Sequence, residues 1–205
     1  IDLNADQMAS VLEEAGIVFM FAPLLHPAMR HVGPVRRGLG IRTVMNVLGP
    51  LTNPAGARRQ VIGVADESLL DLLPDALREL GHLKALVVHG APGLDEVSPM
   101  GSTRVAELSG GEVRQYVLDL AEVGIEPVEA AGLAGGEPDE NAAIVERVLK
   151  GEGGAPRSAV VVNAAAAILV ADLAEGWPAA CRLAETVLDR GDAAAALERL
   201  RAATN

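Results

Sequence analysis

The chain has 205 residues, of which 50% are hydrophobic and 22% charged, the balance of a globular protein rather than a disordered or fibrous one. Its formal net charge of −11 and its aromatic content of 2% argue against general affinity for nucleic acid or for anionic membranes. The single cysteine, Cys181, excludes an internal disulfide framework and a CxxC metal site.

The first residues predict a capped helix. Asn4 and Gln7 have the spacing of a capping box, an apolar helical face follows them, and Gly16 ends the helix. Residues 17–22 form a continuous apolar run, which predicts a buried strand or the entry to a turn at Pro23. The chain starts at Ile1, without an initiator methionine, and a helix begins at once. Either the polypeptide was processed or, as we expect, it is the C-terminal portion of a longer protein.

Two more helices are predicted over residues 26–39 and 42–48, before a loop rich in glycine and proline at 49–54. From residue 60 the pattern alternates between strands and helices. The predicted strands are 60–65, 84–89, 103–108, 112–119 and 159–162, and the third and fourth form a hairpin around two glycines. The predicted helices are 68–80, 141–150, 164–174, 177–190 and 193–203.

This alternation predicts an α/β fold, with a mostly parallel sheet flanked by helices. We expect residues 1–205 to form a single partial unit with two parts. The first is an arginine-bearing helical or hinge segment at 23–54, belonging to a smaller helical domain. The second is the α/β portion at 60–205.

The longest apolar run, residues 159–171, is too short to span a bilayer and contains Asn163, an amide expected to satisfy backbone groups. No secretory signal opens the sequence, so a cytoplasmic location is expected. His89 ends a predicted strand and is interpreted as a structural histidine, and Cys181 as a small hydrophobic residue on a helix.

Acidic residues are missing from one long stretch. Between Glu14 and Asp66 there is none, although about seven would be expected in 51 residues at the average acid content of the chain. The basic residues of this stretch are Arg30, Arg36, Arg37, Arg42, Arg58 and Arg59, with His26 and His31. Either the stretch receives an anionic ligand, which guanidinium groups bind bidentately, or its arginines pair with acids elsewhere in the fold.

A second candidate site follows the predicted strand 84–89. Asp95 and Glu96 lie in a loop after two glycines and a proline, and loops at the carboxyl ends of strands are where α/β proteins place ligands. Adjacent carboxylates in an irregular loop can both reach one Mg²⁺ ion, which prefers oxygen ligands. The alternative is a solvated acidic loop.

Several sequence blocks together resemble the anthranilate phosphoribosyltransferase family. They are residues 21–30 (FAPLLHPAMR), 35–40 (VRRGLG), 42–54 (RTVMNVLGPLTNP), 88–90 (VHG), 93–96 (GLDE) and 162–166 (VNAAA). The resemblance implies a small helical domain joined to a larger α/β domain, as in the related pyrimidine nucleoside phosphorylases. It also implies transfer of the 5-phosphoribosyl group from phosphoribosyl pyrophosphate (PRPP) to anthranilate in tryptophan biosynthesis.

The same resemblance implies a glycosyltransferase that depends on Mg²⁺ and is usually a homodimer. It places the anthranilate-binding arginine at Arg36 and the magnesium-binding acids at Asp95 and Glu96. These positions coincide with the two candidate sites derived from charge and loop pattern.

The glycine-rich blocks with which that family holds PRPP do not occur in these 205 residues. We expect them upstream of Ile1, and expect no catalysis from the chain if nothing precedes that residue. The alternative functions are a pyrimidine nucleoside phosphorylase, a non-catalytic relative that binds nucleic acid, and an inert fragment.

Overall fold

The computed structural model describes residues 2–25, 38, 48, 49 and 51–205. The chain divides into two compact units, one of residues 1–56 with 192–205 and one of residues 57–191. The predicted α/β portion, 60–205, therefore includes a last helix that the structure groups with the N-terminal residues. All of the helix predicted over 26–39 except residue 38 lies outside the described residues, as does all of the one predicted over 42–48 except its last residue.

The first unit contains the predicted capped helix, α1 (Ala5–Ala15). The Asn4 Oδ1 atom accepts the Gln7 N–H at 2.9 Å, and the Gln7 Oε1 atom accepts the Asn4 N–H at 2.9 Å. Gly16 ends the helix with a φ of 76°, where a glycine costs little. The buried face packs against the last helix, α7 (Asp192–Thr204).

The strand predicted over residues 17–22 is not present. The segment is irregular up to α2 (Ala22–Leu25), and Ile17 and Phe19 are 48% and 58% exposed. A strand needs a partner for its backbone groups, and no strand of the described residues pairs with this run. Of the two alternatives for this run, the entry to a turn at Pro23 agrees better with the structure than a buried strand does, because the irregular segment leads directly into α2.

The second unit holds the described sheet together with four helices. In chain order its elements are β1 (Arg59–Gly63), α3 (Leu69–Glu79), β2 (Lys84–Gly90), β3 (Thr103–Ser109), β4 (Glu112–Leu118), 3₁₀ turns at Leu120–Val123 and Ala130–Leu133, α4 (Pro138–Leu149), α5 (Ala155–Val170) and α6 (Trp177–Asp189). No helix among the described residues combines the length and apolarity needed to cross a membrane.

The four strands form one sheet in the order β1-β2-β3-β4. The predicted α/β class, a sheet flanked by helices, is confirmed. Within the described residues, however, only β1 and β2 are parallel, and the other two pairs are antiparallel, so the sheet there is not mostly parallel. α3 supplies the crossover that the parallel β1–β2 pair needs, and Gly110 and Gly111, both at positive φ, make the tight hairpin that joins the antiparallel strands β3 and β4.

The predicted strand 159–162 is wrong, because these residues lie inside α5. A continuous apolar run does not distinguish a buried strand from a buried helix, and this run has the length of a helix. The buried positions recur at helical spacing. They are Val161, Val162, Ala165, Ala166, Leu169 and Val170.

The core of the second unit is centred on β2. Four successive residues, Ala85 to Val88, are at most 1% exposed, and successive strand residues point to opposite faces of a sheet. Both faces of β2 are therefore covered. The covering helices are α3, which packs on β2 and β3, and α5, which packs on β1 and β2.

A hydrogen-bond network connects the start of α6 to the far edge of the sheet. The Tyr116 hydroxyl donates to Glu107 Oε2 at 3.1 Å and accepts the Trp177 Nε1–H at 2.9 Å. Arg114 donates to the same carboxylate oxygen at 2.9 Å, and its guanidinium lies 5.1 Å from the centre of the Tyr116 ring. The nearly buried Glu107 is thus paired, as a buried carboxylate must be.

Burial raises the pKa of Tyr116 to about 12, although the Trp177 hydrogen bond opposes the shift. A raised acid pKa stabilises the fold below the ordinary value near 10 and loses that contribution as pH rises toward 12. We therefore predict that tyrosinate absorbance, taken as the difference between the protein and its Tyr116→Phe variant, titrates near pH 12. A titration near 10 would contradict the buried network.

Candidate active site

The loop after β2 begins with a tight turn. The Gly90 carbonyl accepts the N–H groups of Gly93 and Leu94, each at 2.7 Å, and the Leu94 carbonyl accepts the Gly90 N–H at 2.8 Å. Asp95 and Glu96 follow directly, and both are exposed. The predicted acidic pair is therefore presented at the carboxyl end of a buried strand.

The other side of the pair is held by a helix. Val97 is fully buried, and its N–H and carbonyl are each bonded at 2.9 Å to the side-chain amide of Asn163, on α5. Asn163 Nδ2 also donates to the Ala159 carbonyl at 3.0 Å. The prediction that Asn163 satisfies backbone groups is confirmed, and the groups it satisfies belong mainly to the acidic loop.

The hydroxyl groups of Ser98 and Thr103 hold the segment that leads from the acidic loop into β3. Ser98 Oγ donates to the Ala91 carbonyl at 2.5 Å, and Thr103 Oγ1 accepts the Ser98 N–H at 2.9 Å. Both residues are fully buried. Hydrogen bonds therefore hold the loop at its start (Gly90 to Leu94), directly after the acidic pair (Val97) and at its end (Ser98 and Thr103).

Two glycines let the loop approach the sheet closely. A Cβ atom added to Gly63, at the end of β1, would lie 1.5 Å from the Asp95 carbonyl oxygen. A Cβ added to Gly90 would lie 2.5 Å from the Glu96 carbonyl oxygen. These contacts are non-local, and sequence reasoning did not identify Gly63 as part of the site.

Other polar groups lie at the same end of the sheet. His89 Nδ1 is 2.7 Å from the Val64 carbonyl oxygen, a contact that fits the interpretation of His89 as structural. Arg104 on β3 lies opposite His89 in the antiparallel ladder and forms an ion pair with Glu67, which follows β1. This pair was not identified from the sequence, because it depends on the antiparallel pairing of β2 with β3, which the sequence analysis did not predict.

The donor set of the loop suits Mg²⁺. No group of three or more histidine, cysteine, aspartate or glutamate side chains within the described residues could hold a metal. Mg²⁺ is usually bound by only one or two carboxylates, with waters and substrate phosphates completing its octahedron. Asp95 and Glu96, exposed to solvent and held on a fastened loop, fit that requirement.

The basic stretch is only partly described. Arg58 donates to the Gly81 carbonyl at 2.8 Å, and Arg59 pairs with Asp172 at 2.6 Å, so these two arginines serve structural roles. Hydrogen bonds from Lys84 and then from Arg59 lower the pKa of Asp172. The remaining basic residues lie outside the described residues: His26, Arg30, His31, Arg36, Arg37 and Arg42.

Residues 1–194 match the family described as glycosyl transferase family, a/b domain. The chain belongs to this family. It is 53% identical over 195 residues to anthranilate phosphoribosyltransferase of Phenylobacterium zucineum, covering 95% of this chain and 58% of that protein.

Solved structures of this family agree with the described fold. The structure of anthranilate phosphoribosyltransferase from Thermus thermophilus is similar with a TM-score of 0.89 and 44% identity, over 96% of this chain and 58% of that one. The Saccharomyces cerevisiae enzyme in complex with PRPP and Mg gives a TM-score of 0.89 at 28% identity, over 98% and 58%. The chain thus spans about three fifths of the length of these relatives.

We predict that Gly63→Ala distorts the acidic loop, because the new Cβ would overlap the Asp95 backbone. The free energy of unfolding should fall by about 2–3 kcal/mol or more, the upper range for overpacking. Gly153→Ala is the matched control, since Gly153 is exposed and a Cβ there meets nothing within 4 Å. Denaturant unfolding of both variants checks the prediction, and equal stability of the two would contradict it.

Proposed function

We propose that the protein containing this chain transfers the 5-phosphoribosyl group from PRPP to anthranilate, a step of tryptophan biosynthesis. The observation that carries the proposal is the Asp95–Glu96 loop, which hydrogen bonds hold on both sides of the pair. This chain is also 53% identical to an anthranilate phosphoribosyltransferase over 195 residues. The name of that relative supports the substrate, and the yeast enzyme bound to PRPP and Mg supports the donor and the metal.

The reaction forms one bond and breaks another. The anthranilate amine attacks the anomeric carbon, the bond from that carbon to pyrophosphate breaks, and pyrophosphate leaves with the electron pair while the amine loses a proton. Mg²⁺, when bound, neutralises charge that develops on the leaving pyrophosphate. Asp95 and Glu96 would hold that ion beside the donor.

Arg36 is proposed to orient the acceptor. A guanidinium group binds a carboxylate through two parallel hydrogen bonds, and anthranilate carries a carboxylate next to its amine. The role rests on the match of residues 35–40 to the family pattern and on the absence of acids around it in the sequence. With the acceptor fixed, positioning and electrostatics supply the rate without a covalent enzyme intermediate.

We predict that Arg36→Ala raises the KM for anthranilate by about tenfold or more, since a charged hydrogen-bonding partner of the substrate is lost. The KM for PRPP should change little. The measurement is the loss of anthranilate fluorescence with PRPP and Mg²⁺ in the complete gene product. Arg58→Ala is the matched control, because Arg58 bonds a backbone carbonyl. An unchanged KM for anthranilate in Arg36→Ala would refute this role.

We predict that the double substitution of Asp95→Asn and Glu96→Gln abolishes Mg²⁺-dependent turnover. Amides keep the size of the side chains but remove the charge that a divalent cation requires. Glu112→Gln is the control, because Glu112 is an exposed carboxylate at the hairpin turn, at the opposite end of β2. Turnover with an unchanged Mg²⁺ requirement in the double variant would show that the metal is held elsewhere.

The remaining features of the proposal concern the whole protein. We propose a cytoplasmic homodimer, with residues 23–54 as the arginine-bearing hinge segment and 60–205 as part of the catalytic α/β domain. Fluorescence loss that needs anthranilate, PRPP and Mg²⁺ together would support the reaction. A folded, complete protein without that activity would refute it and favour the non-catalytic alternative.

A further inference from the structure

The side-chain amide of Asn163 makes three hydrogen bonds, all to backbone groups. Its Oδ1 accepts the Val97 N–H and its Nδ2 donates to the Val97 carbonyl, both at 2.9 Å. One planar amide thus bonds both backbone groups of a single residue 66 positions away, as a neighbouring strand would. The third bond, to the Ala159 carbonyl, fixes the rotation of that amide on α5.

The residue that Asn163 holds is the one immediately after the acidic pair. On the other side of the pair, Leu94 is bonded to Gly90 through two backbone hydrogen bonds. Only Asp95 and Glu96 lie between these two fastened points. Their backbone is therefore fixed by its neighbours, while their side chains stay exposed to solvent.

Backbone conformation decides whether two adjacent carboxylates can share one cation. In an extended strand the side chains of neighbouring residues point to opposite faces, which would separate the Asp95 and Glu96 carboxylates. An irregular backbone is needed to bring both toward the same ion, and such a conformation must be held from outside.

We infer that Asn163 is a positioning residue, which holds the backbone after Glu96 so that Asp95 and Glu96 face a single divalent cation. The inference rests on the proposed function, since it assumes that this pair binds the metal. Partners that orient metal ligands commonly change metal affinity when they are replaced.

The test uses the complete gene product and Asn163→Ala. We expect the Mg²⁺ concentration for half-maximal activity to rise about tenfold or more, within the range found for groups that orient metal ligands. The KM for anthranilate should be unchanged, and saturating Mg²⁺ should restore most of kcat. Mn²⁺ titrated in the presence of PRPP, without anthranilate, should show the same loss of affinity by electron paramagnetic resonance.

Hydrogen exchange gives a readout independent of the metal. The Val97 amide should exchange faster in Asn163→Ala, since its acceptor is gone. Val162→Ala is the matched control: it removes buried volume from the adjacent position of the same helix and keeps the amide of Asn163. It should lower stability without changing Val97 exchange or the Mg²⁺ requirement. Equal effects of the two variants on the Mg²⁺ requirement would overturn the inference.

Asn163→Asp covers the case in which the alanine variant does not fold. It has the same size and keeps an acceptor for the Val97 N–H, but it loses both donated bonds, so a raised Mg²⁺ requirement is expected again. An unchanged requirement in a folded Asn163 variant, with Mg²⁺-dependent turnover lost in the Asp95–Glu96 double variant, would overturn this inference alone. An unchanged Mg²⁺ requirement in the double variant would overturn the proposed metal site itself.

Discussion

Burial of β2 on both faces determines how the second unit is arranged. The strand can exclude water from successive apolar residues only if helices cover the two faces and strands pair along both edges. α3 and α5 provide the cover, and β1 and β3 the pairing. The chain leaves this core at Gly90, which is held both by its pairing with Thr103 on β3 and by its backbone hydrogen bonds to Leu94.

Polar groups are divided between the two ends of that core. At the end where β2 starts, Lys84 and Arg59 pair with Asp172, and on the neighbouring strands Glu107 is satisfied by Arg114 and Tyr116. At the other end, Asp95 and Glu96 are exposed, and within the described part of the chain neither takes part in an ion pair. Paired charges join elements together, whereas the exposed pair is the one that we propose binds a cation.

The sequence predicted best those features that depend on neighbouring residues. The capping box at Asn4 and the hairpin around Gly110 are set by local geometry, and both are present. The strand predicted over 159–162 was wrong, because a continuous apolar run does not show by itself whether the residues form a buried strand or a buried helix. The close approach of Gly63 to Asp95 and the Glu67–Arg104 pair join residues far apart in sequence, so no local pattern could predict them.

The acidic loop depends both on a local sequence pattern and on contacts with residues far away in the sequence. The local pattern made Asp95 and Glu96 a candidate site from the sequence, whereas the distant residues that hold their backbone were not identified. A strand followed by glycine, proline and two acids is visible in the sequence, and it places Asp95 and Glu96 at a strand end. Two residues from other elements define the backbone of the pair. Gly63 lets the Asp95 backbone approach closely because it has no Cβ, and the Asn163 amide bonds the Val97 backbone. Two carboxylates on a free loop would lose conformational entropy each time they closed around an ion. Holding the backbone beforehand removes much of that loss, so we expect the affinity of the proposed site to depend on a glycine and an asparagine that need not touch the metal.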